Sequence, residues 1–164
     1  RNPSETFGCN NCLIDSLLLS LQYGGYMRRE VTIDERRLAA AAARCHLVQT
    51  CGLPSTGNPY LAHDVHLAPI FNFLRAQCPK LWVDAERMLQ VELLATVFDR
   101  FNGRVVLGDQ GDLDELVPTE PVRIPPLDVS RSVTDHVQVQ LYAYTHRDGT
   151  GWHYEWISAT AASQ

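Results

Sequence analysis

The stretch GCNNCLIDSLLLSLQYGG, residues 8–25, decides the fold. Its apolar residues from Leu13 to Leu21 lie almost all round a helical wheel, which is typical of a helix buried on most sides. The glycines at 24 and 25 end this helix, and the polar, turn-forming residues before Cys12 place that cysteine in its first turn. The sequence therefore predicts a central buried helix that begins at a cysteine.

A cysteine in that position is a candidate nucleophile. The first turn of a helix has backbone N–H groups without an intrahelical partner, and the positive end of the helix dipole stabilises a thiolate there. The same N–H groups can donate to an oxyanion that develops on a substrate carbonyl. We therefore assign Cys12 as the nucleophile and the backbone around Asn10, Asn11 and Cys12 as the oxyanion hole.

Composition and charge narrow the class of protein. The chain has 164 residues, 45% hydrophobic and 20% charged, which predicts one globular domain over residues 1–164. A formal net charge of -5 argues against nucleic-acid binding as the main activity, because binding the phosphate backbone needs a basic surplus. No apolar run approaches the roughly 20 residues of a membrane span. Because the first residue is Arg1 and not Met, we interpret the chain as a domain cut from a longer protein.

Five cysteines in a chain able to build its own core favour a reducing, cytoplasmic compartment, which for a secreted effector would be the host cytosol. Cys9 and Cys12 form a C-x-x-C, but no second pair completes a zinc site and no βαβ pattern surrounds it. His63 and His66 have a spacing found in metal sites, also without a third ligand. We therefore expect no metal and no cofactor.

The rest of the chain predicts helices first and strands last. Thr32 and Glu35 form a capping box before a second helix over residues 36–49, and a third helix covers residues 65–76. Asp84 caps a fourth helix, whose apolar residues reach Phe98 at helical spacing.

After that helix, residues 104–107 are a short buried strand, and the proline-rich residues 112–135 are mostly extended loop. Apolar residues then alternate from Val137 to Ala143, a half-buried strand. Residues 146–151 form a hairpin turn, and residues 152–158 are the returning strand. This order predicts an α+β fold.

A cysteine nucleophile generally uses a distant histidine as its base. Among six histidines, His153 is the best candidate because it lies inside the last predicted strand. Glu155 follows at i+2, on the same strand face, and can orient the imidazole. Asn10 and Asp15 remain alternatives for this third role.

Two of these segments resemble the OTU-type (ovarian tumour-like) cysteine peptidases, which are papain-like deubiquitinases. Residues 8–13, GCNNCL, are similar to that family's Gly-Asp-Gly-Asn-Cys-Leu box, and residues 153–157, HYEWI, to its closing His-Tyr-(Asn/Asp)-x-(Val/Ile) strand. Residues 92–95 leading into 104–107 resemble the family's helix-then-strand segment. The resemblance implies a papain-like fold: helices around a small, mainly antiparallel sheet, with the cysteine at a helix N-terminus and the histidine on a C-terminal strand.

The implied function is a deubiquitinase that cleaves ubiquitin or a ubiquitin-like modifier from proteins, acting as a monomer. The sequence departs from the family's box at Cys9 and Asn10, where the family has Asp and Gly, and at Glu155, which is longer than Asn or Asp. Papain-like folds with a Cys–His pair also deamidate glutamine or transfer acyl groups. A glutamine deamidase or transglutaminase, and an inactive ubiquitin-binding module, therefore remain alternatives.

Overall fold

Helices fill the first half of the chain and strands the second half, so the protein has an α+β fold. The computed structural model describes residues 10–57, 59–99, 117–128, 135–145 and 152–156. The helices are Cys12–Tyr23 (α1), Ile33–Thr50 (α2), His63–Gln77 (α3) and Ala85–Gln90 (α4), with a 3₁₀ turn at Pro79–Leu81. The strands are Glu92–Asp99 (β1), Val117–Pro118 (β2), Val122–Ile124 (β3), His136–Thr145 (β4) and Trp152–Trp156 (β5).

The first three helices form close to where the sequence predicts them. Helix α1 begins at Cys12, and the capping box is confirmed because the Thr32 side chain accepts a hydrogen bond from the Glu35 backbone N–H at 3.2 Å. Helix α3 is slightly longer than residues 65–76, since it begins at His63 and ends at Gln77.

The prediction of a helix from Asp84 to Phe98 is wrong in its second half. Asp84 does cap α4, but that helix ends at Gln90, and the next residues form strand β1. Leu93, Ala95 and Val97 are fully buried and alternate with partly exposed residues, as a strand requires. The apolar residues of this stretch fit both the spacing of a helix and the alternation of a strand. Pairing with β4 selects the strand. The resemblance of residues 92–95 to a family helix fails for the same reason, and residues 104–107 lie outside the described residues.

Within the described residues the five strands form one mixed sheet, in the order β2-β1-β4-β5, with β3 also paired to β1. Strands β4 and β5 are antiparallel, as predicted, although the turn over residues 146–151 lies outside the described residues. Strand β1, however, pairs with β4 in parallel along its whole length, from Glu92 opposite His136 to Asp99 opposite Ala143. The expectation of a mainly antiparallel sheet missed this long parallel pair.

The proline-rich segment is more ordered than an extended loop where the structure describes it. Strands β2 and β3 pair with β1 in an antiparallel sense, and Ile124 is fully buried. Buried Arg75 of α3 donates to the carbonyls of Val91 and Pro125, so it ties this segment to the start of β1. Burial lowers the pKa of the Arg75 guanidinium to about 10, which leaves it charged at neutral pH.

Helix α1 occupies the centre of the molecule. Every residue from Cys12 to Leu21 is buried, because α1 packs against β4 and β5 on one side and against α2 and α3 on the other. Its serines satisfy their hydroxyls locally, with Ser16 Oγ donating to the Cys12 carbonyl at 2.6 Å and Ser20 Oγ to the Ser16 carbonyl at 2.8 Å. The position of Cys12 is thereby set by the packing of the whole domain.

Candidate active site

Cys12 is the first residue of α1, at the N-terminal end of the helix. The carbonyl of Asn11, the N-cap residue, accepts the Asp15 backbone N–H at 2.9 Å, so the Asn11–Cys12 peptide already has the helical orientation. Its N–H therefore points out of the N-terminal end of the helix. Cys12 is buried, with 5% of its surface exposed.

The loop before Cys12 has an uncommon backbone conformation. Asn10 has a φ of 53°, in the left-handed region, where glycine is favoured and where Asn is the side chain that most often substitutes for it. This is the position at which the Gly-Asp-Gly-Asn-Cys box has its second glycine. Asn10 thus has a backbone conformation that a glycine would adopt most easily.

The side chain of Arg44, on α2, is hydrogen-bonded to this loop. Its Nε donates to Asn11 Oδ1 at 2.6 Å, and its Nη2 donates to the Asn10 carbonyl at 2.7 Å. Its Nη1 donates to the Pro59 carbonyl at 3.1 Å, which joins Pro59 to the same cluster. The guanidinium thereby connects two loops that are far apart in the chain.

Sequence reasoning missed Arg44, although the sequence carries a signal for it. Arg44 follows Ala40 by one helical turn and precedes Leu47 by three residues, and both of those residues are buried. A charged residue on the apolar stripe of a helix must find polar partners inside the protein.

Strand β5 brings the second predicted segment against α1. His153 lies opposite Tyr144 and Glu155 lies opposite Tyr142 in the β4–β5 register, and α1 packs on β5. The helix that begins at Cys12 and the strand that contains His153 and Glu155 are therefore direct neighbours. The side chains of His153 and Glu155 lie outside the described part of the chain, as does Cys9.

Tyr154, between His153 and Glu155, anchors β5 to the first residue of α3. Its ring is fully buried, and its hydroxyl accepts the His63 backbone N–H at 3.1 Å while lying 3.0 Å from His63 Nδ1. His63 itself is buried, with 8% of its surface exposed. This contact between β5 and α3 was not foreseen, because it joins residues 91 positions apart.

The other described histidines have structural partners of their own. His66 Nδ1 accepts the Ala62 backbone N–H at 2.9 Å, and burial, assisted by the positive charge of Arg44, lowers the pKa of His66 and favours its neutral form. The His46 ring stacks on Phe73 at 4.8 Å, and His136 lies 3.7 Å from the Glu92 carboxylate. His146 lies outside the described residues.

The two alternatives for the third catalytic role lie on the cysteine side. Asp15 is fully buried in the first turn of α1, one helical turn beyond Cys12. Asn10 lies in the preceding loop, with its carbonyl bound by Arg44. Glu155 lies in β5, the strand on which α1 packs.

Among the described residues, no group of three or more His, Cys, Asp or Glu side chains could hold a metal ion. His63 and His66 instead make the contacts given above with Tyr154 and the Ala62 backbone. In the same part of the chain, no helix is long and apolar enough to cross a bilayer. No protein-family model, curated protein or solved structure matches the chain.

The left-handed conformation of Asn10 leads to a stability prediction. Replacing Asn10 by Gly or by Ala removes the same side-chain contacts, but only Ala adds a Cβ that the left-handed region disfavours. We expect Asn10→Ala to unfold with a free energy about 1 kcal/mol lower than Asn10→Gly, as measured by urea denaturation. Equal stability, or a more stable Ala variant, would show that the loop does not hold a positive φ at this residue.

Proposed function

We propose that this chain is a papain-like thiol hydrolase of the OTU type that cleaves ubiquitin or a ubiquitin-like modifier from proteins. The observation that carries the proposal is the packing of α1 on β5, since it brings the helix that begins at Cys12 beside the strand that contains His153. A Cys–His pair needs this juxtaposition of two segments that are distant in sequence.

The backbone before Cys12 supports the same assignment. Asn10 is left-handed at the position where the Gly-Asp-Gly-Asn-Cys box has a glycine, and Cys12 takes the first helical position after the N-cap at Asn11, which supports a nucleophile there. The order of the segments, with the cysteine early and the histidine in the last strand pair, also agrees with that family.

In the proposed reaction the Cys12 sulfur attacks the carbonyl carbon of the bond between the modifier and its target. His153 takes the thiol proton, and the carbonyl oxygen becomes an oxyanion. This oxyanion accepts hydrogen bonds from backbone N–H groups of residues 10–12. The C–N bond then breaks, and the amine leaves with the proton from His153. A water molecule, deprotonated by His153, attacks the thioester and breaks the C–S bond, which releases the modifier's carboxylate.

Glutamine deamidation would use the same nucleophile and base but release ammonia from a side-chain amide. The two activities differ in the carbonyl that Cys12 attacks: the C-terminal carbonyl of the modifier in one, and a glutamine side-chain carbonyl in the other. A probe that carries the ubiquitin C-terminus therefore distinguishes them. An inactive binding module would retain the fold and bind without turnover.

Labelling by ubiquitin with a thiol-reactive C-terminus tests the nucleophile. We expect one covalent adduct by intact mass, mapped to Cys12, in the wild type and in the matched control Cys51→Ala, whose cysteine is exposed. Cys12→Ala should give no adduct while unfolding at the same urea concentration, because the change removes the thiolate and little volume. Cys9→Ala should keep substantial activity.

Labelling of Cys12→Ala, or loss of labelling in Cys9→Ala alone, would contradict the assignment of Cys12. An unlabelled wild type that releases ammonia from a protein substrate would favour the deamidase. Neither reaction would favour the binding module.

The third catalytic residue is tested by turnover of a fluorogenic substrate that carries the ubiquitin C-terminus. We expect Glu155→Ala to lower kcat by roughly 10- to 1000-fold, less than His153→Ala, because an orienting carboxylate assists a base that can still act without it. Asn10→Gly and Asp15→Asn are measured beside it, because Gly removes the Asn10 side chain and keeps the left-handed backbone. Wild-type turnover in the Glu155 variant, with collapse in either of the others, would move the third role to the cysteine side of the cleft.

A further inference from the structure

Arg44 is a buried cation beside the proposed oxyanion hole to which the proposed reaction gives no role. Its surface is 9% exposed, and its guanidinium donates to Asn11 Oδ1, to the Asn10 carbonyl and to the Pro59 carbonyl. Three acceptors in different directions suit the planar fork of a guanidinium and not the single point of an ammonium. The side chain therefore sets the orientation of the groups it contacts as well as their distance.

The contact with the Asn10 carbonyl determines which way the next N–H points. In a planar trans peptide the C=O and the N–H point in opposite directions. Because the Asn10 carbonyl is directed at Arg44, the Asn11 N–H is directed away from α2. The Asn11 N–H is one of the donors assigned to the oxyanion hole.

The contact with Asn11 Oδ1 has a second consequence. An Asn at an N-cap ordinarily accepts a backbone N–H from the first turn of its own helix. In α1 the Asn11 side chain makes no such capping bond and accepts from Arg44 Nε instead. The N–H groups of the first turn are thereby not used by the cap residue.

We propose that Arg44 is a positioning residue of the thiol reaction: it turns the Asn10–Asn11 peptide, and with it the Asn11 N–H, toward the substrate carbonyl, and it holds the Asn11 side chain in place. The inference rests on the proposed function, because the oxyanion hole belongs to that reaction. Through the Pro59 carbonyl, Arg44 also couples Pro59 to this loop.

Arg36 of the same helix provides the matched control. Arg36 is also buried, and its Nη1 donates to Gln22 Oε1 at 2.7 Å and to the Val31 carbonyl at 3.2 Å, at the far end of α1 from Cys12. Arg36→Ala therefore removes a buried guanidinium from the same helix without touching the loop before Cys12.

The experiment compares wild type, Arg44→Ala, Arg44→Lys and Arg36→Ala on the fluorogenic ubiquitin substrate, with urea denaturation of each variant. We expect kcat to fall about 10²- to 10³-fold in both Arg44 variants with little change in KM, which is the loss expected from misplaced oxyanion donors. Arg36→Ala should lose stability and retain the wild-type kcat. Low concentrations of guanidinium ion should partly restore the kcat of Arg44→Ala, and sodium chloride at equal ionic strength should not.

A wild-type kcat in Arg44→Ala, or an equal loss of kcat in Arg36→Ala, would overturn the proposal. If the wild type neither turns over the substrate nor reacts with the ubiquitin probe, the proposed function fails, and the positioning claim is read from backbone amide chemical shifts. Shifts of residues 10–14 that move in Arg44→Ala and not in Arg36→Ala support it. Shifts that stay unchanged in Arg44→Ala refute it.

Discussion

Burial of α1 on all sides is the constraint on which the rest of the structure depends. A helix that is apolar round its whole circumference needs neighbours in every direction. Strands β4 and β5 supply one side, and helices α2 and α3 supply the other. Because Cys12 begins this helix, the packing that stabilises the helix also determines where the proposed nucleophile lies.

The N-terminus of α1 is stabilised by different interactions from those of the rest of the helix. Its body is held by apolar contacts and by serines that bond within the helix, whereas its N-terminus is held by a charged side chain from α2. An ordinary side-chain cap would accept first-turn N–H groups. In α1 a buried Arg from α2 binds the side chain of the cap residue instead and stabilises the loop before it.

Local patterns predicted much of this fold, and long-range contacts account for what was missed. Residues close together in the chain determine three features: the start of α1, the Thr32 cap and the alternation of β4. Strand β1 was read as a helix because its apolar spacing fits both structures, and the deciding partner, β4, lies about 40 residues later in the chain. The Arg44 contacts and the Tyr154–His63 contact likewise join distant segments, so a local pattern could show that Arg44 needs polar partners but not which partners it has. The helix start at Cys12 was thus predictable from the sequence, and the contacts that hold the loop before it were not.

The central claim is that Cys12 and His153 act as a pair, since the helix that begins at Cys12 packs on the strand that contains His153. Alkylation of the wild-type protein with a dihaloacetone tests it without a substrate, because the reagent joins a thiol to an imidazole only when both are within reach of its three-carbon bridge. Proteolysis and mass spectrometry identify the joined residues. The account predicts one crosslink between Cys12 and His153. A crosslink from Cys12 to His63 or His66, or alkylation of Cys12 without any crosslink, would contradict it.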